Sequence, residues 1–251
     1  MTTHACGIDV GGSGVKGGLV DLETGQVIGE IAKVATPHPA TREAVTEACA
    51  QVAEMLNLPE GTPVGISFPA PIVHGEIPFM ANLDQGWVGA NIKQIMSERL
   101  NRPVTVLNDG DAACVGEWAF GAAKGIPGTV IVTTLGTGIG AGMVVNGRLV
   151  PNLELGHLEV DGHDAETRAS ARVKTEENLS WEEFAARLQR YYSTLEKLTW
   201  PDLIVVGGGV SENADKFLPL LDLRTRIVPA TLENTAGIVG AAWVAREATQ
   251  E

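Results

Sequence analysis

The chain opens on a run of small and apolar residues, ACGIDV, that breaks at GGSG, resumes as VKGGLVD, turns at LETGQ and continues as VIGEIAKVA. Short β-branched runs closed by glycine-rich or polar turns predict strands joined by tight connections. The period then changes. In TREAVTEACAQVAEMLN, Val45, Cys49, Val52 and Leu56 fall on one face of a helix that stops at Leu58-Pro59. VGISF reads as a strand halted by Pro69 and Pro71, NIKQIMSERLN as a helix burying Ile92, Ile95, Met96 and Leu100, and PVTVLND as the next strand.

After a helical AACVGEWAFGAA the same order restarts. GTVIVTTLGTGIGAGMVVNGRLVP reads as strand, glycine turn, strand, Asn-Gly turn, strand. SWEEFAARLQRYYSTLEKL predicts a helix opened by a capping box of Ser180 and Glu183, with Phe184, Leu188, Tyr191 and Leu195 inward. DLIVV is a buried strand ending in GGGVSE, and AGIVGAAWVAREA is a final helix. Two hairpin openings are the trace of a duplicated unit, so the expected fold class is α/β, two mixed sheets with helices outside. The expected domains are residues 1–108 and 109–236, with a terminal helix over about 237–251 packing back on the first.

Composition narrows the partners. The 251 residues carry a formal charge of −13, which argues against general binding to nucleic acid or membrane surfaces, because polyanions are repelled except at a local site. Cys6, Cys49 and Cys114 lack metal or redox spacing and read as buried thiols of a reducing compartment. MTTHACGIDV shows no secretory signal and no run reaches membrane-spanning length, so a cytoplasmic protein is expected.

Gly12, Gly14 and Gly17 match the spacing of a dinucleotide fingerprint, as do Gly136, Gly138 and Ala141. That fingerprint requires a helix after the last glycine, and here a strand follows each time. The glycine turns instead suit phosphate oxygens, which backbone N–H groups of Gly11, Gly12, Ser13 and Gly14, and of Gly136, Thr137 and Gly138, can approach unobstructed. Asp9, at the end of the first strand, can hold Mg²⁺ directly or through water, and Lys16 either adds positive charge or is a solvated strand residue. Gly208 and Gly209 either admit a nucleoside or merely make a turn. Asn108 and Asp109 close a strand just before a helix; Asp109 is the expected general base, and the plainer alternative is that Asp109 or Asp111 caps the helix. In NLELGHLEVDGHDAE, Glu154, His157 and Glu166 can converge on sugar hydroxyls. Zinc on His157, His163 and neighbouring carboxylates is the rival, unsupported by cysteines or by helical His spacing, and no zinc is expected.

Together IDVGGSGVKGGLVD, LNDGDAA, TTLGTGIGAG and ELGH resemble the ROK family of sugar kinases, over nearly the whole chain, and within it the actinobacterial polyphosphate/ATP glucokinases. The resemblance implies a duplicated actin-like (hexokinase/ribonuclease H-like) ATPase fold with an interdomain cleft. It implies phosphoryl transfer from polyphosphate or ATP with Mg²⁺ to the 6-hydroxyl of glucose, with mannose a further acceptor, Asp109 as base, and Asn82, Asn108, Glu154, His157 and Glu166 on the other hydroxyls. It also implies a homodimer. The chain departs from the family at DGHDAETRAS, where a cysteine-rich zinc motif is usual. An ATP-only hexokinase of the same family and a non-catalytic sugar-sensing module are the alternatives. Lys16, Arg102, Lys124, Arg148, Arg168, Arg172 and Lys174 are candidates for a polyphosphate track.

Overall fold

In a computed structural model that describes residues 3–81 and 83–248, the repeated sequence pattern becomes two five-stranded sheets of identical order. The first contains β1 (His4–Val10), β2 (Gly14–Asp21), β3 (Val27–Ala35), β4 (Val64–Phe68) and β5 (Val104–Asn108), ordered β3-β2-β1-β4-β5. The second contains β6 (Thr129–Leu135), β7 (Ile139–Val145), β8 (Arg148–Val150), β11 (Leu203–Gly207) and β12 (Arg226–Pro229), ordered β8-β7-β6-β11-β12. In each, two antiparallel pairings are followed by two parallel ones. The central strands are buried on both faces, and the continuous apolar run of LIVVG reflects it.

Helices α1 (Arg42–Met55) and α2 (Ile92–Leu100) belong to the first half. α3 (Asp109–Ala119) follows β5 without a connector. Between β8 and β11 the chain forms a short hairpin, β9 (Glu159–Val160) and β10 (His163–Asp164), and the helices α4 (Glu166–Ala169), α5 (Ala171–Glu176) and α6 (Trp181–Thr199). α6 carries the expected capping box, and Phe184, Leu188, Tyr191 and Leu195 are buried. Each such side chain contributes roughly 1.5–3 kcal/mol by burial. α7 (Ala236–Glu247) ends the described chain.

The centre of the molecule is a crossing of α3, which lies on the second sheet, with α7, which lies on the first. Glycines make it possible: a Cβ on Gly7 or Gly65 would overlap the α7 carbonyls of Ile238 and Ala241, and one on Gly240 would overlap the Ala112 carbonyl of α3. Gly17 is explained the same way. It sits in β2, where a Cβ would come within 2.7 Å of Val52 on α1, so it serves sheet–helix packing.

The helix after β5 starts earlier than AACVGEWAFGAA implies, at Asp109 itself. Its cap is Asn108, whose Oδ1 accepts the N–H groups of Gly110 (2.8 Å) and Asp111 (3.2 Å), so neither aspartate is the cap. All three cysteines are buried, and burial pushes the Cys6 and Cys49 thiols up to about 12. No helix among the described residues is long and apolar enough to cross a membrane.

Candidate active site

The two glycine turns face each other across a cavity of about 450 Å³ between the halves. Each is closed by a backbone bond, Gly11 N–H donating to Gly14 O (3.0 Å) in the first and Gly136 N–H to Gly138 O (3.0 Å) in the shorter second. Gly11 and Gly12 line one wall; Gly136, Thr137, Gly138 and Gly208 line the other. Gly208 has φ +83°, and a Cβ there would overlap the backbone of Leu135, so both conformation and space demand glycine. A larger, open depression of about 670 Å³ between α1 and α2 is lined by the ion-paired Arg99, Glu47 and their neighbours and gathers no comparable set of groups.

Asp109 lies in the cavity at the junction of β5 and α3. Its carboxylate is open to cleft solvent, while protein surrounds it on the remaining sides, and this partial desolvation raises its pKa to about 7. The negative charges of Asp9 and Glu154 act in the same direction, and the N–H of Gly110 opposes them. A carboxylate so poised can accept a proton from a hydroxyl near neutral pH.

The opposite wall comes from the segment after β8. Glu154, His157 and Glu166 all line the cavity. Burial raises the pKa of Glu154, with Glu166 adding to it and His157 opposing. Glu166 is braced against the second glycine turn: its Oε2 accepts Ile139 N–H at 3.1 Å and fills the space a Cβ on Gly138 would need. The hydrogen bond with Asp164 is the main cause of a raised His157 pKa. Asn108 reaches the cavity too, but its Oδ1 is committed to capping α3, leaving its amide Nδ2 for a ligand. Pro71, Phe79 and Leu83 form an apolar rim. Asn82 lies outside the described residues.

Other expected residues stand differently. Lys16 does not line the cavity: its Nζ donates to the Asn234 carbonyl (2.6 Å) and lies 3.3 Å from Asp9 Oδ2, so its charge is spent on Asp9 and on the connector before α7. Gly14 is buried in β2, with Lys33 occupying the space beside it, and Ser13 is exposed and does not line the cavity. Asp9 lies behind the first turn, with Ser67 Oγ donating to its Oδ1 at 2.8 Å. Gly209 lines a neighbouring hollow of about 460 Å³ that shares Gly136, Thr137 and Arg172 with the cavity.

Of the seven basic residues considered for an anion track, Arg172 alone lines the cavity. Lys174 lines the neighbouring hollow, with its Nζ donating to Leu179 O (3.0 Å) and lying 4.0 Å from the Trp181 ring centroid. Lys124 is stacked near Phe120 in a separate depression, and Arg168 is turned to His163.

Sequence reasoning missed Asp164 and Asn152. Asn152 is a clasp between the halves: its Oδ1 accepts Ile72 N–H (2.7 Å), its Nδ2 donates to Ile72 O (2.9 Å), and its own N–H donates to the buried Asp111 (2.8 Å). Asp111 is raised to about 6, chiefly by burial. Only the concentration of polar hydrogen-bonding groups in NLELGHLEVDGHDAE hinted at this, since a cross-cleft bond has no local spacing.

The family model of the ROK family matches residues 5–169. The chain belongs to the ROK family. A polyphosphate glucokinase of Mycobacterium tuberculosis (strain CDC 1551 / Oshkosh) is 47% identical over 240 residues, covering 95% of this chain and 90% of the relative. Among solved structures, the inorganic polyphosphate/ATP-glucomannokinase from Arthrobacter sp. strain KM matches with TM-score 0.93 at 51% identity, covering 100% of both chains. A ROK family glucokinase from Streptomyces griseus, solved with glucose and AMPPNP, matches with TM-score 0.84 at 26% identity, covering 97% of this chain and 99% of the other. The two sheets are thus those of the actin-like ATPase fold of ROK sugar kinases.

Proposed function

We propose that this ROK protein transfers the terminal phosphoryl group of polyphosphate or ATP to the 6-hydroxyl of glucose, yielding glucose 6-phosphate. The observation that carries the reading is Asp109, poised near neutrality on a cavity floor, between two glycine turns and opposite Glu154, His157 and Glu166. Relatives named for this reaction, at 47% and 51% identity, support it.

In this reading Asp109 accepts the proton of the 6-hydroxyl while the donor phosphates lie against the turn amides. Asn82, Asn108, Glu154, His157 and Glu166 hold the remaining hydroxyls, and mannose is a second acceptor to be assayed. Asp9 is the carboxylate that would hold Mg²⁺, through water, since Ser67 and Lys16 already engage its two oxygens. When bound, that ion would neutralise charge on the phosphate oxygens. Arg172 joins the cavity to the neighbouring hollow, where Gly209 and Trp181 leave room for the rest of the donor. Residues 1–108 and 109–236 act as the two bodies that enclose the substrates, with positioning and water exclusion supplying most of the rate. A cytoplasmic homodimer completes the reading; its oligomeric state is checked by light scattering.

The deciding measurement is the initial rate of glucose phosphorylation with Mg²⁺ and either ATP or nucleotide-free polyphosphate. Turnover with both is the expected result. Turnover with ATP alone retires polyphosphate, and turnover with neither favours a sugar-sensing module. Activity with long polyphosphate should fall more steeply with salt than activity with ATP, because more screened contacts contribute.

A further inference from the structure

His157 enters the cavity with one ring nitrogen already engaged. Its Nδ1 lies 2.8 Å from Oδ2 of Asp164 on β10. The other carboxylate oxygen, Oδ1, accepts the N–H of Glu166 at 3.2 Å, and the Asp164 carbonyl accepts the Thr167 hydroxyl at 2.6 Å. One side chain thus touches both His157 and the start of α4, the helix that carries Glu166.

We propose that Asp164 is a positioning residue for the sugar site: it keeps His157 protonated at Nδ1, presents Nε2 to a sugar hydroxyl, and fixes Glu166 beside it. This rests on the sugar-kinase reading above. The physics is that of a carboxylate behind a functional histidine: a fixed acceptor at one nitrogen selects the tautomer and stops ring rotation, so the other nitrogen meets its partner without a further entropic cost.

The hairpin is built to hold Asp164 there. Asp161 (φ +53°) and Gly162 (φ +77°) form its two-residue turn, and pair Asp164 with Glu159. Arg190 of α6 anchors the turn through two bonds to Asp161, at 2.8 and 2.7 Å. Strand alternation sends His163 the other way, where Arg168 donates to its Nε2 (3.0 Å). His163 therefore cannot join His157 at a metal. The rival is a metal held by His157, Asp164 and Glu166, whose ligand atoms lie within 4.8 Å of one another. Against it, His157 Nδ1 and Asp164 Oδ2 lie 2.8 Å apart, in direct hydrogen-bond contact with no room for an ion between them. The charged groups facing His157 are Asp164, Glu166 and Glu154, all acidic.

Asp164→Asn and Asp164→Ala test this in the full chain. In Asp164→Ala the glucose KM should rise about 10-fold or more, the loss usual for a partner behind a functional histidine, with kcat less affected and donor KM unchanged. Asp164→Asn should fall between, since its amide oxygen still accepts from Nδ1–H without the charge. Nitrogen NMR of the parent should show His157 protonated at Nδ1, and Asp164→Ala should lose that preference and lower the His157 pKa. A purely structural role would lower Tm and leave these readouts alone. Glucose KM within twofold of an active parent in both variants, or an unchanged His157 signal, overturns the proposal. So does a raised glucose KM in chelator-treated parent, with Mg²⁺ returned, that Zn²⁺ restores. A parent that phosphorylates no sugar defeats the kinase reading instead, and the NMR arm still reports on the Asp164–His157 link.

Discussion

The two glycine hairpins differ in length and in equipment: the first closes from Gly11 to Gly14, the second from Gly136 to Gly138. Beside the first turn, the cross-strand pair is Asp9 with Lys16; at the matching place beside the second it is Thr134 with Gly140. β5 runs straight into α3, so Asn108 and Asp109 stand at the cavity, whereas a pinned connector separates β12 from α7. There the buried Glu117 takes the N–H groups of Thr231 (3.0 Å) and Leu232 (2.7 Å). The second half compensates with the segment after β8, which brings Glu154, His157 and Glu166. Under the proposed function, duplication supplied two glycine turns for anions, and divergence placed Asp109 at the junction of β5 and α3 and Glu154, His157 and Glu166 after β8.

Breaking the asymmetry at Asp109 should have the largest effect. Asp109→Asn should reduce turnover about 10²–10⁴-fold, measured by coupled assay of glucose phosphorylation. The parent's kcat/KM should climb with pH and level off above about 7, following ionisation of the raised Asp109 carboxyl.

The crossing of α3 and α7, which holds the halves together, comes next. In Gly240→Ala the new methyl meets the Ala112 carbonyl. Overpacking there should cost about 3 kcal/mol. At ~2–4 °C per kcal/mol for a chain of this size, calorimetry should find Tm lower by roughly 6–12 °C.

The clasp is a smaller lever. Asn152→Gly keeps the left-handed backbone (φ +60°) while removing both bonds to Ile72, and denaturant unfolding should show a loss of roughly 1–3 kcal/mol. The last effect is the stability cost of the base itself, reduced because the carboxylate is open to solvent. The folded state binds the Asp109 proton more tightly than the unfolded chain, so ionisation costs stability as pH rises from about 4 through about 7. Asp109→Asn should therefore have the higher Tm at pH 8 and lose that advantage near pH 4. Activity and stability then move in opposite directions through the same carboxyl.

Local pattern alone determined a good deal. Helical spacing in α1, α2 and α6, the capping box at Ser180, both hairpins and the repeat itself follow from interactions within a few residues, and are legible in the order of side chains. So was the place of Asp109, because a strand end followed by a helix marks where a sheet exposes its chemistry, and so were the glycine turns, because glycine punctuates successive strands. Tertiary structure decided the rest. Lys16 looked free beside a glycine turn until Asn234, distant in sequence, took its ammonium. Gly14 was expected beside phosphate and Gly17 only completed a dinucleotide spacing; the structure adds that Lys33 of β3 and Val52 of α1 take the room beside them. Asp164 gave no sign of its bond to His157, which depends on a two-residue turn and on which face of a short strand looks into the cleft. Such pairings are set by how separate elements meet, and a linear order of residues carries no local record of that meeting.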